Sequence, residues 1–190
     1  IIVHLNPLQE LVQTEGDRNF VGVENGIRHL VKNCGMPVIV KETGAGITAG
    51  VARRLLSLGV SVIDVAGAGG TSWAKVENLR KSDSSDTDFL NDWGVPTTFC
   101  LEEISKLRDD FDFELISSGG VRSASDIVKS FALGANFTAM AGPVIKALSQ
   151  GGEQQLSQLF ERLINQTKQI CLLLGCNSLL QCTKNVLIKK

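Results

Sequence analysis

Ile1-Ile2-Val3-His4-Leu5-Asn6-Pro7-Leu8-Gln9-Glu10 begins as an apolar run and turns polar within the length of one strand. That change predicts a buried strand whose C-terminal end meets a functional rim, where His4, Asn6, Gln9 and Glu10 emerge. The same pattern recurs four times. Val38-Ile39-Val40 leads into Lys41-Glu42, and Val60 to Val65 into Ala66-Gly67-Ala68-Gly69-Gly70-Thr71. Phe113 to Ile116 leads into Ser117-Ser118-Gly119-Gly120-Val121-Arg122, and Asn136 to Met140 into Ala141-Gly142-Pro143. Short continuous apolar runs belong to parallel sheets covered on both faces. In parallel βα folds, ligands gather at the C-terminal strand ends.

Helical spacing fills the intervals. Val23, Ile27, Leu30 and Val31 mark a helix over 22–33; Thr48 caps one through Leu58, with Gly59 beyond it. Further helices are predicted from Pro96 to Asp109, from Ser125 to Leu133 and from Glu153 to Leu174, with a shorter one after Asn177. Strands alternating with helices, without a hairpin signal, give parallel α/β. Five strands suit either an open doubly wound sheet or part of an eight-stranded barrel. The glycine loops after the last two strands match the phosphate site that follows barrel strands 7 and 8. The expected fold is therefore a TIM (β/α)8 barrel, with residues 1–190 supplying roughly its last five βα units as the C-terminal part of a single domain. A first residue already inside a strand, with no initiator Met, gives the expectation that the N-terminal part lies outside this chain. The polar stretch Ser72 to Asn91, with Lys81-Ser82-Asp83-Ser84-Ser85-Asp86, marks 72–95 as an expected mobile insertion rather than a packed element.

Composition narrows the function classes. A net charge of -1 offers no footprint for nucleic acid or an anionic membrane, and no apolar run is long enough to span a bilayer. Five cysteines, odd in number and without a CxxC, read as reduced structural thiols of a cytoplasmic protein. The spacing of Cys171, Cys176 and Cys182 fits no common zinc pattern.

Each candidate residue has a plainer reading. Gly119-Gly120-Val121-Arg122 with Ala141-Gly142 can cradle a phosphate through close backbone N–H groups and a helix N-terminus; the same glycines could serve only tight turns. Lys41 ends a buried strand and could bond a cofactor, although an ion pair with Glu42 or Asp64 is the plainer reading. Trp73 and Glu77 share a helical spacing, and such a Trp is more often a packing residue. Glu10 beside a phosphorylated ligand suits Mg²⁺, which takes one or two carboxylates and keeps waters. His4 alone would be a satisfied core histidine, but four polar groups within seven residues at one strand end point to a site.

His4-Leu5-Asn6-Pro7-Leu8-Gln9-Glu10 followed by Glu15-Gly16-Asp17-Arg18-Asn19-Phe20 closely resembles the signature of type 2 isopentenyl diphosphate isomerases. Val38 to Glu42, Asp64 to Trp73, Ser118 to Arg122 and Met140 to Pro143 agree with it in order. The resemblance implies a TIM-barrel flavoenzyme that uses reduced FMN and Mg²⁺ to interconvert isopentenyl and dimethylallyl diphosphate in isoprenoid biosynthesis, with NADPH as reductant for the flavin. It implies FMN contacts at Lys41, Thr71, Gly120, Val121, Arg122, Ala141 and Gly142. It places Gln9 at the reacting carbons, His4, Asn6, Trp73 and Glu77 around the substrate, and Glu10 on Mg²⁺. A homo-oligomer in the cytoplasm, binding a small-molecule diphosphate, is expected.

Two rival readings belong to other classes. An FMN-dependent 2-hydroxy-acid oxidase shares the barrel but needs a His base late in it, and the histidines here are His4 and His29. The other rival is a flavin-free fragment without activity of its own.

Overall fold

A computed structural model describes residues 1–81 and 86–188. Its five strands are β1 (Ile2–His4), β2 (Ile39–Lys41), β3 (Val62–Asp64), β4 (Glu114–Ser117) and β5 (Phe137–Thr138). They pair in parallel in the order β1-β2-β3-β4-β5. A doubly wound sheet reverses its strand order at a switch point, whereas a barrel adds strands sequentially. The sequential order makes this sheet an arc of a (β/α) barrel and excludes the open alternative.

Register sorts the side chains into two faces. Val3, Val40, Ile63 and Leu115 lie level across four strands. Val40, Ile63 and Leu115 are fully buried, in one core with Ala52, Leu55 and Leu56 of α3 (Ala49–Ser57) and Leu101 and Ile104 of α5 (Thr97–Ile104). Burying each such side chain contributes about 1.5–3 kcal/mol. The other face carries His4, Lys41, Asp64 and Ile116 in the next row, at the C-terminal strand ends. The edge strands β1 and β5 expose Ile2 and Phe137.

Several elements differ from the expectation. Pro7 does not merely stop the first strand: it opens a six-residue helix, α1 (Pro7–Val12), as proline does at a first helical position, where its missing N–H costs nothing. Gln9 and Glu10 therefore stand on a helix. α2 (Val23–Asn33) agrees with prediction. The segment 72–95 contains a packed element, α4 (Trp73–Leu79), capped by the Ser72 hydroxyl, and a 3-10 turn at Asp88–Leu90. Ala74 and Leu90 bury against Val12 of α1, so the polar composition conceals an inward face. Residues 82–85 of that segment lie outside the described residues. α5 tightens into a 3-10 turn at Ser105–Asp109. α6 (Ala124–Ala132) carries a capping box between Ser123 and Asp126. α7 (Gly142–Leu173) joins two helices across non-helical backbone at Gly151 and Gly152, so the expected helix from Glu153 is present and an unexpected one precedes it from Gly142. Beyond it, 3-10 turns at Leu179–Gln181 and Lys184–Val186 replace the expected last helix. Among the described residues, no helix is long and apolar enough to cross a membrane.

Candidate active site

The C-terminal rim of the sheet is built from main-chain contacts between loops. Glu42, buried at the end of β2, turns its carboxylate onto the following loop. Its Oε2 accepts the amides of Thr43 (2.6 Å), Gly44 (2.6 Å), Ala45 and Gly46 (3.2 Å). Lys41 donates from Nζ to the Glu42 carbonyl at 2.6 Å. Lys41 forms no close ion pair with Glu42 or Asp64, although its charge acts on Asp64. Asp64 Oδ1 accepts the Ser118 hydroxyl at 2.5 Å and the Ala66 amide at 3.2 Å.

The two glycine loops interlock. A Cβ on Gly119 would lie 2.1 Å from the Gly67 carbonyl oxygen, and one on Gly120 2.5 Å from that of Gly69. Gly67 N–H donates to Ser118 O, and Thr97 Oγ1 donates to Gly119 O at 2.6 Å. Arg122 donates to the Gly69 carbonyl at 2.8 Å. These glycines thus serve close backbone approach first. Asp126 Oδ2 takes the amides of Arg122 and Ser123, which removes them from any phosphate cradle. The Gly120 and Val121 amides bond no other backbone group among the described residues and remain available to an anion. Ala141 and Gly142, both exposed, open the N-terminus of α7 beside that loop, since β4 and β5 are paired.

The second half of the site joins α1 to α4. Gln9 and Glu77, 68 residues apart, meet where Gln9 Nε2 donates to Glu77 Oε1 at 3.3 Å. Gln13, one helical turn further, donates to the same oxygen at 3.1 Å. Arg80 stands 3.6 Å from Oε2. Asn6 donates to Glu10 Oε1 at 2.7 Å, and the Asp17 amide to Oε2 at 2.8 Å. His4 is exposed at the end of β1, level with Lys41 on a neighbouring strand roughly 4.8 Å away. Trp73 is 45% exposed and stands beside Gly44. Thr71 is exposed, and its carbonyl backs onto Gly44.

Sequence reading misses Glu42, Gln13, Asp17 and Thr97. Only Gln13 leaves a signal, its i,i+4 spacing from Gln9 on one helix face. A cleft of about 800 Å³ lies between the end of β5, α6, α7 and the C-terminal turns. Ile127, Val144, Leu163 and Cys171 line it, so it is apolar and holds none of the rim groups.

Two rim carboxyls titrate in opposite senses. Burial pushes Asp64 above its usual value of 3.8, against the Ser118 hydroxyl and the Lys41 charge. The folded chain then holds that proton more tightly than the unfolded one, so stability falls as pH rises from 3.8 through the raised pKa. Glu77 is lowered from 4.5, first by the Gln13 amide. Its contribution is present above pH 4.5 and is lost as pH falls through the lowered pKa. In urea midpoints measured against pH, Asp64→Asn should flatten the decline above pH 3.8, and Glu77→Gln the acid limb below pH 4.5.

The sequence profile of the FMN-dependent dehydrogenase family matches residues 7–189. The isopentenyl-diphosphate delta-isomerase of Bacillus licheniformis is 42% identical over 188 residues, covering 99% of this chain and 53% of that protein. That of Chlorobium phaeobacteroides is 44% identical over 197 residues, covering 97% and 53%. The chain spans about half the length of the curated relatives it matches. Among solved structures, mandelate oxidase with benzoyl-formic acid superposes with a TM-score of 0.63 at 26% identity, over 84% of this chain and 41% of the other.

Proposed function

This chain belongs to the FMN-dependent dehydrogenase family, and on that premise we propose that it serves the interconversion of isopentenyl and dimethylallyl diphosphate. The observation that carries the reading is the Gln9–Glu77 hydrogen bond at the rim, which joins an amide to a carboxylate held ionised. Moving a double bond by one carbon requires a proton delivered to one carbon and removed from another. The positive charge that develops between them must be kept from water.

Gln9 has no group that titrates usefully, so its amide orients the allylic carbons. One Nε2 hydrogen is bonded to Glu77, which orients the amide and leaves its carbonyl oxygen and second N–H for substrate. Glu77 stays anionic at neutral pH and stabilises the developing cation. His4, Asn6 and Trp73 wall the substrate. Asn6 and the Asp17 amide hold the Glu10 carboxylate. A carboxylate has about four acceptor positions, so the two bonds leave room for Mg²⁺ on the diphosphate. That donor set fits one carboxylate plus substrate oxygens.

The rim also fits FMN. Lys41 and Thr71 lie along one side of it. The Gly120 and Val121 amides, Arg122 and the α7 N-terminus at Ala141-Gly142 suit its phosphate. Bound and reduced, FMN would supply the acid–base partner for the allylic proton shift, with NADPH as its reductant. The proposed setting is cytoplasmic, in a homo-oligomer.

The test joins this chain to the remaining length of the Bacillus licheniformis relative and assays isomerisation with FMN, Mg²⁺ and NADPH. Turnover is expected, and Gln9→Ala should lower it about 10²-fold, as misplaced orienting groups do. A hybrid that binds FMN but yields no dimethylallyl diphosphate would contradict the reading.

A further inference from the structure

We propose that Cys171 and Cys182 form an internal disulfide by exchange with a low-molecular-weight disulfide that enters at Cys176. The proposal is independent of the isomerase reading. Cys171 lies in the last turns of α7, Cys176 follows Gly175, and Cys182 follows the 3-10 turn at Leu179–Gln181. The Cys176 amide bonds back to the Cys171 carbonyl at 2.9 Å, which folds the segment onto the helix end. Cys171 Sγ and Cys182 Sγ consequently stand 3.8 Å apart. A disulfide bond is about 2.05 Å long, so only a small side-chain movement separates contact from bond.

Both thiols are buried, at 7% and 2% exposure, in one apolar cluster with Val128. Cys176 is half-buried, touches Cys182, and lines the apolar cleft together with Cys171. Among the described residues, no group of three or more His, Cys, Asp or Glu could hold a metal ion, which leaves the thiols' own chemistry. Burial pushes the Cys182 thiol up to about 12, so it does not begin the exchange.

The exchange balances in three steps. The Cys176 thiolate attacks one sulfur of the external disulfide, expels a thiolate and becomes a mixed disulfide. Cys182, its proton passed to solvent, attacks the Cys176 sulfur and expels the second thiolate. Cys171, also deprotonated to solvent, attacks the Cys182 sulfur and returns Cys176 as a thiolate. Overall, two protein thiols are oxidised and the external disulfide is reduced to two thiols. The new bond fastens the C-terminal turn to the end of α7.

The full chain, reduced and then exposed to oxidised glutathione, provides the test. Residues 169–184 contain all three cysteines and no Lys or Arg before Lys184, so trypsin releases them as one peptide. The expected result is a non-reduced peptide lighter by two hydrogens, restored by reductant. Cys176→Ser should give the same loss at least about tenfold more slowly, since the entry thiol is gone. The oxidised chain should also melt at a higher temperature than the reduced one. A peptide with three free thiols, a glutathione adduct that goes no further, a final bond that includes Cys176, or a Cys176→Ser chain that loses the two hydrogens as fast as the parent would overturn the proposal.

Discussion

Gly119→Ala should destabilise the chain by about 3–5 kcal/mol, from left-handed strain and overpacking together. Gly119 has a φ of 91°, and a Cβ there would press on the Gly67 carbonyl oxygen, nitrogen and carbon at 2.1, 2.6 and 2.9 Å. These are backbone atoms, pinned by the Gly67–Ser118 hydrogen bond and by Thr97, and cannot step aside as a flexible side chain would. Against a total of about 5–15 kcal/mol, the loss should leave a large unfolded fraction. Urea unfolding should show a lower midpoint at unchanged slope. Gly26→Ala is the internal control. Gly26 sits within α2 with nothing near its Cβ position, so alanine there should stabilise by about 0.5–1 kcal/mol.

The second large effect is expected at Glu42. Its buried carboxylate oxygen is the common acceptor for four consecutive amides, and the loop so formed receives the Val95 amide at the Ala45 carbonyl. Glu42→Ala leaves those donors without an acceptor and should cost about 3 kcal/mol, because an unmade buried bond carries its desolvation penalty. Glu42→Gln keeps a neutral carbonyl oxygen in place and should cost roughly half as much, since bonds to charged acceptors are about twice as strong. Equal losses in the two variants, read from urea midpoints, would show that a neutral oxygen in the same place contributes nothing and that the charge carries the whole effect.

Sequence shows the sheet well and the contacts around it poorly. Val38–Val40, Val60–Val65 and Phe113–Ile116 are recognisable because each is a short apolar run ending in glycine, lysine or serine. Alternation with helices leaves their order in space open between a doubly wound sheet and a barrel, and the glycine loops after the last two strands are what point to the barrel. The two polar-looking helices are harder. α1 is six residues long, too short for a 3.6-residue period to declare itself, and α4 buries Glu77 and Asn78 rather than a row of large apolar side chains. Gly151-Gly152 punctuates the sequence like a loop and does break α7: the helix after it is legible from Glu153, while the one from Gly142 is not.

The site is legible as a set of residues but not as a set of partners. Gln9 and Glu10 stand out in the polar run after the first strand, and Lys41 by its position at a strand end. That Glu77 lies against Gln9 depends on a contact across 68 residues. That Glu42 grips its own loop cannot be read at all, because its partners are main-chain amides and carry no sequence signature. Arg122 is expected from sequence to face a phosphate, and its bond to the Gly69 carbonyl, which ties it to the interlocked loops, has no sequence signature.

The measurement that bears most directly on the flavin site is equilibrium titration of FMN into the chain, followed by flavin fluorescence. Lys41, Gly120, Val121, Ala141 and Gly142 all lie on the described rim, so saturable quenching is predicted. Lys41→Met should weaken it at least about tenfold, the loss of one charge-assisted contact. Absence of saturation, or a Lys41→Met titration that overlays the parent, would contradict the claim that this rim holds FMN.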